Sequence, residues 1–110
     1  GRGAAVAVVD DHGELVAFVR VDGCPLPSIA NAIHKASTAA RERRPARAIG
    51  GASRDGGVPL TNVGDQRYTG WGGGVPLEVD GAVVGAVGVS GLPEAVDMRI
   101  AAAAAGVLAG

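Results

Sequence analysis

Between residues 28 and 43, four side chains able to do chemistry recur at helical spacing: Asn31, Lys35, Thr38 and Glu42. At about 100° per residue they share one stripe, almost diametrically opposite Leu26, Ile29, Ile33, Ala36 and Ala40. A lysine and a threonine one turn apart can hold an anionic oxygen between an ammonium and a hydroxyl. Taken alone, such a stripe is more often a helix face in water. His34 and Arg41 lie on a flank between the stripes. His34 offers an imidazole, which haem iron accepts as an axial ligand, although a lone flank histidine more often lies at the surface or supports another group. The metal-ligating types are Asp10, Asp11, His12, Cys24 and His34, and no pair has the spacing of a zinc ribbon or of an i, i+4 histidine site. A metal centre held by protein ligands alone is not expected.

Two glycine-containing strings suggest chemistry only at first sight. Gly88-Val89-Ser90-Gly91 has the start of a nucleophile elbow, but Leu92 stands where the last glycine is needed, so it reads as a strand end turning into a helix. Gly70-Trp71-Gly72-Gly73-Gly74 precedes a strand, not a helix, and does not fit a dinucleotide fingerprint. Glycines so closely packed do let a ligand or another subunit touch main chain.

The elements that must position these residues follow from hydrophobic pattern and turn chemistry. Ala4 to Asp10 is a Val-rich run suited to a strand covered on both faces, and Leu15 to Val21 resumes the pattern after Asp11-His12-Gly13, predicting an antiparallel hairpin. Pro25, Pro27 and Ser28 precede a helix, with Ser28 as N-cap, that runs to about Arg43 and stops at Pro45. Ala46 to Ile49 extends this by one short turn at most, and residues 50–74 read as a long Gly-rich loop, a length that suggests a site or an interface. Val75 to Val79 and Ala82 to Ser90 form a second hairpin around Asp80-Gly81, a pair suited to a two-residue turn with positive φ. On its second strand Ala86, Gly88 and Ser90 share a small face, open to close approach. Pro93 and Glu94 begin a last helix that runs to Leu108. Two hairpins alternating with helices predict an α+β domain, a central antiparallel sheet with helices packed on it.

The chain has 110 residues, which fits one domain spanning 1–110. Ten Lys and Arg against eleven Asp and Glu, with 3% aromatics, leave neither a basic face nor stacking platforms for nucleic acid. The local run Lys35, Arg41, Arg43, Arg44 and Arg47 is read as a cationic helix end. One cysteine permits no internal disulfide. The apolar tract Ile100 to Leu108 is too short to span a bilayer, and no export signal opens the given sequence, so a cytoplasmic protein without membrane contact is expected.

Several stretches together are similar to the GlcG/HbpS-like family. They are Val6-Ala7-Val8-Val9-Asp10 with Gly13, Arg20-Val21-Asp22-Gly23 with Pro25 and Ser28, and Lys35-Ala36-Ser37-Thr38-Ala39-Ala40-Arg41. Further along come Gly73-Gly74-Val75-Pro76-Leu77, Gly85-Ala86-Val87-Gly88-Val89-Ser90-Gly91, and Glu94 with Asp97. The resemblance covers the chain almost end to end and implies a profilin-like sandwich, assembled as a symmetric homo-oligomer. A helix usual before the first strand is absent from this chain, which would expose Val-rich sheet for a partner subunit to cover. Some members bind haem, including one that serves a redox-sensing system and a domain fused to a cobalamin-related enzyme. The family's recurring lysine and threonine correspond to Lys35 and Thr38.

Two functions follow as expectations. In one, a cleft beside the 28–43 helix binds haem or a similar anionic small molecule, with Lys35, Thr38, Asn31, Arg20, Arg41, Gly73 and Gly74 as ligand-binding residues and His34 as axial ligand. In the other, the cleft is an active site for a small organic acid or biosynthetic intermediate, with Lys35, His34, Glu94 and Asp97 moving protons.

Overall fold

The structure, a computed structural model, describes residues 2–109. The chain runs β1 (Ala5–Asp10), β2 (Leu15–Arg20), α1 (Pro27–Glu42), α2 (Ala46–Gly56), a 3-10 turn (Leu60–Val63), β3 (Gly74–Val79), β4 (Ala82–Ser90) and α3 (Glu94–Ala109). The strands form one sheet in the order β2-β1-β4-β3, every pair antiparallel. The α+β expectation holds, with the two hairpins side by side and β1 joined to β4 in the middle. Asp80 and Gly81 close the second hairpin with φ of 52° and 80°, the positive values that this two-residue turn requires. No helix precedes β1 among the described residues.

Helices cover the sheet from both sides. Ala5, Ala7, Val9 and Ala86 face α1, meeting Ala32, Ala36, Ala39 and Ala40, while Val87 and Val89 face α3 and Ala101. Full burial of Val9 and Val89 contributes roughly 1.5–3 kcal/mol each relative to exposure. The α1 side is made of very small residues, and one row explains why. Ala7, Gly88 and Gly74 are neighbours across β1, β4 and β3. A methyl group on Gly88 would run into the Ala32 carbonyl and lie 2.7 Å from the Ala36 nitrogen, and one on Gly74 would strike the Lys35 carbonyl. The helix therefore rests on sheet backbone, and the small face read from the β4 sequence is filled by α1 itself.

This close seating corrects the helical projection. Leu26, placed on the apolar stripe, is 75% exposed, and Ile29 and Ile33 are half-buried, whereas Lys35, Ser37 and Thr38 are buried with the alanines. The buried arc is rotated toward the polar stripe because methyl-sized side chains, not the isoleucines, fit against glycines. The start of α1 differs as well. Ser28 is not the N-cap. Helix geometry begins at Pro27, whose fixed φ suits a first position, and the Ser28 amide donates to the Pro25 carbonyl at 3.0 Å.

Residues 50–74 are not one long loop. Helix α2 continues to Gly56, ends on Gly57 at φ 69°, and is followed by the 3-10 turn. Glycine is a poor helix former, yet Gly50 is required here: a methyl group on it would lie 2.7 Å from the Gly70 Cα. Main-chain contact between α2 and the 67–71 segment is what makes a helix of a glycine-rich stretch.

Candidate functional site: a cleft over a buried lysine

A cleft of about 240 Å³ opens at the N-terminal end of α1, between that helix, the end of β4, Trp71 and the first turns of α3. Asn31, Lys35, Ser90, Glu94 and Asp97 line it, with Arg2 and Pro25 at its margin. At its floor the Lys35 ammonium donates to the Val89 carbonyl at 2.8 Å and to Asp97 Oδ2 at 3.2 Å. Both side chains of this ion pair are at most 5% exposed. Asp97 accepts a second hydrogen bond at Oδ1 from the Leu92 amide, 3.2 Å away. Removing two charges from water is costly, and further hydrogen bonds are needed to offset it; no buried side-chain nitrogen or oxygen among the described residues lacks a partner.

The sequence reaches this geometry through three local features. Lys35 leaves α1 where the helix lies against Gly74. Gly73, at φ 123°, then runs beside the ammonium: a methyl group there would lie 2.6 Å from the Val89 carbonyl oxygen and 3.0 Å from Lys35 Nζ. The Gly73 carbonyl meanwhile accepts from the Val89 amide at 2.9 Å, locking the approach to β4. Gly73 and Gly74 thus sit at the lysine as packing surfaces, buried beneath the cleft and not lining it.

Glu94 forms the opposite wall. Its carboxylate accepts from the Gly72 amide at 2.6 Å and from Arg47 Nη1 at 3.0 Å to each oxygen. The Gly72 N–H, with the Arg47 charge added, holds its carboxyl below the usual glutamate range despite some desolvation. Arg47 belongs to the run read as a cationic helix end, and no spacing rule links it to Glu94.

The remaining expected site residues lie elsewhere. Thr38 is buried, but its hydroxyl is directed at the 67–69 segment: Oγ1 lies 2.8 Å from the His34 carbonyl and 3.2 Å from the Arg67 carbonyl, and accepts from the Thr69 amide at 3.0 Å. Arg41 donates to the His12 carbonyl at 3.0 Å and to Asp65 at 2.8 Å, tying the first hairpin turn to that segment. Arg20 is exposed at the end of the edge strand β2, and half-buried His34 is outside the cleft lining. Lys35, Asn31, Glu94 and Asp97 are therefore brought together; Thr38, Arg41, Arg20 and His34 are not. Ser90 and Trp71 enter the lining without having been singled out for it. No group of three or more His, Cys, Asp or Glu side chains among the described residues could hold a metal ion.

A family model described as "Haem degrading protein HbpS-like" matches residues 1–106. The chain belongs to the HbpS-like family. Protein GlcG of Escherichia coli K12 is 41% identical over 86 residues, which cover 78% of this chain and 63% of GlcG. The chain thus spans just under two thirds of the length of the curated relatives it matches. Among solved HbpS-like structures, Klebsiella pneumoniae ORFY superposes with a TM-score of 0.90 at 27% identity, over the whole of this chain and 77% of that one. A double mutant of Streptomyces reticuli HbpS gives 0.86 at 32% identity, covering 98% and 73% of the two chains. A PduOC–haem complex gives 0.86 at 28% identity, covering 94% and 77%. No helix among the described residues is long and apolar enough to cross a membrane.

Proposed function

We propose that this chain is a binding module for a small molecule bearing a carboxylate or hydroxyl group, held in the cleft over Lys35. The observation that carries this reading is the hydrogen-bond count at the ammonium. Lys35 Nζ has three N–H donors and two protein acceptors, leaving one donor for a ligand oxygen at the cleft floor. Asn31 and Ser90, in the same lining, offer further polar contacts. The volume, about 240 Å³, falls under the roughly 300–1,000 Å³ of pockets for drug-sized ligands and suits a short-chain acid.

This cleft favours a smaller ligand than haem. Its volume is small beside a macrocycle, and no imidazole lines it. The haem in the PduOC structure and the family description support haem as a ligand of this chain, and His34, half-buried outside the cleft lining, is the axial candidate. Proton-transfer catalysis has weaker support. The lone pairs of Glu94 are committed to Gly72 and Arg47, and its low pKa makes it a poor proton acceptor. Binding is favoured over turnover.

The working unit is proposed to be a homo-oligomer. Helix α3 packs on β3 and β4, while on β2 Ala17 and Val19 are exposed, with Val21 beyond the strand end; Val19 is 60% exposed. An apolar patch of this kind suits burial by a second copy.

Isothermal titration with short-chain carboxylic and hydroxy acids tests the cleft, and hemin titration tests His34. Saturable heat with an acid that Lys35→Met weakens at least tenfold, about 1.4 kcal/mol, supports the cleft reading. Equal affinity in Lys35→Met and Asn31→Ala removes it. A Soret band lost in His34→Ala and kept in Lys35→Met assigns haem to His34, outside the cleft.

A further inference from the structure

On the far side of Trp71 from the lysine cleft lies a second depression, about 360 Å³, between α2 and the 68–71 segment. Its construction differs from that of the first. Arg47 and Arg54 stand two helical turns apart on the same face of α2, roughly 10 Å along the axis. Between them Gly50 carries no side chain, and its main chain touches that of Gly70: a methyl group on Gly70 would lie 2.6 Å from the Gly50 Cα. The two glycines join the facing segments, and Tyr68 and Trp71 line the groove with the two arginines.

The charge in this groove is unbalanced. No carboxylate lines it. Arg47 spends Nη1 on Glu94, and Arg54 forms no ion pair among the described residues. The Tyr68 side chain and the main chain beside Trp71 are held in place. The Tyr68 hydroxyl donates to Glu42, and the backbone beside Trp71 is fixed by the Gly72 amide on Glu94 and by the Gly50–Gly70 contact. Even so, the indole is 61% exposed, although it is the only tryptophan in the chain. An exposed aromatic face lining the same groove as an unpaired guanidinium is an arrangement that receives a flat ring with an anionic substituent, because stacking accepts any π-face and the guanidinium fork matches carboxylate or phosphate oxygens.

We propose that this groove is a second ligand site, which takes an aromatic or heteroaromatic ring carrying a phosphate or a carboxylate, the ring stacked on Trp71 and the anion on Arg54. The groove adjoins the Lys35 cleft, with Trp71 as a shared wall and the Arg47–Glu94 ion pair linking the two linings.

The single tryptophan makes the test direct, since its fluorescence reports stacking without labelling. The intact chain is titrated with adenosine monophosphate, adenosine and inorganic phosphate in one arm, and with benzoate, benzyl alcohol and acetate in the other. The expected result is saturable quenching by the ring-plus-anion probe of at least one arm, with the separate ring and the separate anion at least tenfold weaker. The arm that saturates identifies phosphate or carboxylate as the anion. Arg54→Gln, a change at an exposed position, should weaken the binding at least tenfold, whereas Arg99→Gln, the same change at an exposed arginine that lines neither depression, should leave it unaltered. Absence of saturable quenching in both arms overturns the proposal, as does unchanged affinity in Arg54→Gln. Emission that follows protein concentration and ignores every probe assigns Trp71 to a contact between copies and overturns it too.

Discussion

Lys35 and Asp97 combine a structural cost with a chemical opportunity. Removing one member strands the other charge in a dry environment, a loss of about 3–5 kcal/mol for pairs buried this well. Asp97→Asn should therefore lower the urea midpoint strongly, and Lys35→Met likewise. The double variant should lose less than the sum of the two, because no unpaired charge remains; strict additivity would show that the two groups do not act as a pair. Tyr68 gives a second test at this scale. Burial, with the Glu42 carboxylate beside it, pushes its phenol up to about 12. A native pKa above the unfolded value near 10 stabilises the fold fully below pH about 10, and that contribution is lost as pH rises through about 12. Since there is one tyrosine, the absorbance of tyrosinate follows it without interference. A midpoint near 10 in the folded protein would contradict the burial, and Tyr68→Phe should flatten the alkaline fall in stability. Of these residues, Lys35 was legible in the sequence as a site candidate because it stands on a polar stripe. The fate of Thr38 was not, since a helical projection cannot show that the 67–69 segment closes over the same stripe.

At the scale of elements, the separation between α1 and the sheet is set by hydrogen atoms where other residues carry methyl groups. Gly88→Ala forces a methyl group against the Ala32 carbonyl and the Ala36 nitrogen, backbone that cannot step aside, and should cost at least the 1–3 kcal/mol typical of overpacking. Gly106, in α3, has nothing within 4 Å of an added methyl group, and Gly106→Ala should stabilise by up to about 1 kcal/mol. Chemical denaturation of the two variants side by side checks the contrast; similar effects would mean that the close seating of α1 is not what Gly88 provides. Element legibility divides along the same line. Both hairpins were readable, the first from its Val-rich runs around Asp11-His12-Gly13 and the second from Asp80-Gly81, because strand pairing and turn chemistry are local. Helix α2 was not, because Gly50, Gly51 and Gly56 argue against a helix locally and the contact with Gly70 that favours it comes from a distant part of the chain.

For the whole molecule, the uncovered part of the sheet has a solution consequence. If a second copy covers Ala17, Val19 and Val21, sedimentation should give a mass above that of one 10.8 kDa chain, and Val19→Lys should shift it toward the monomer. A monomer at all concentrations would refute the assembly. The order β2-β1-β4-β3 has another effect, on biosynthesis. The middle of the sheet joins the first strand made to the last, Ala5 to Ser90. During translation the β1–β2 hairpin must therefore wait, one edge bare, until the chain through Ser90 has left the ribosome. Such distant pairing is slow to form, so the nascent chain passes through a long interval in which its valine-rich edge is open to chaperones and to neighbouring nascent chains.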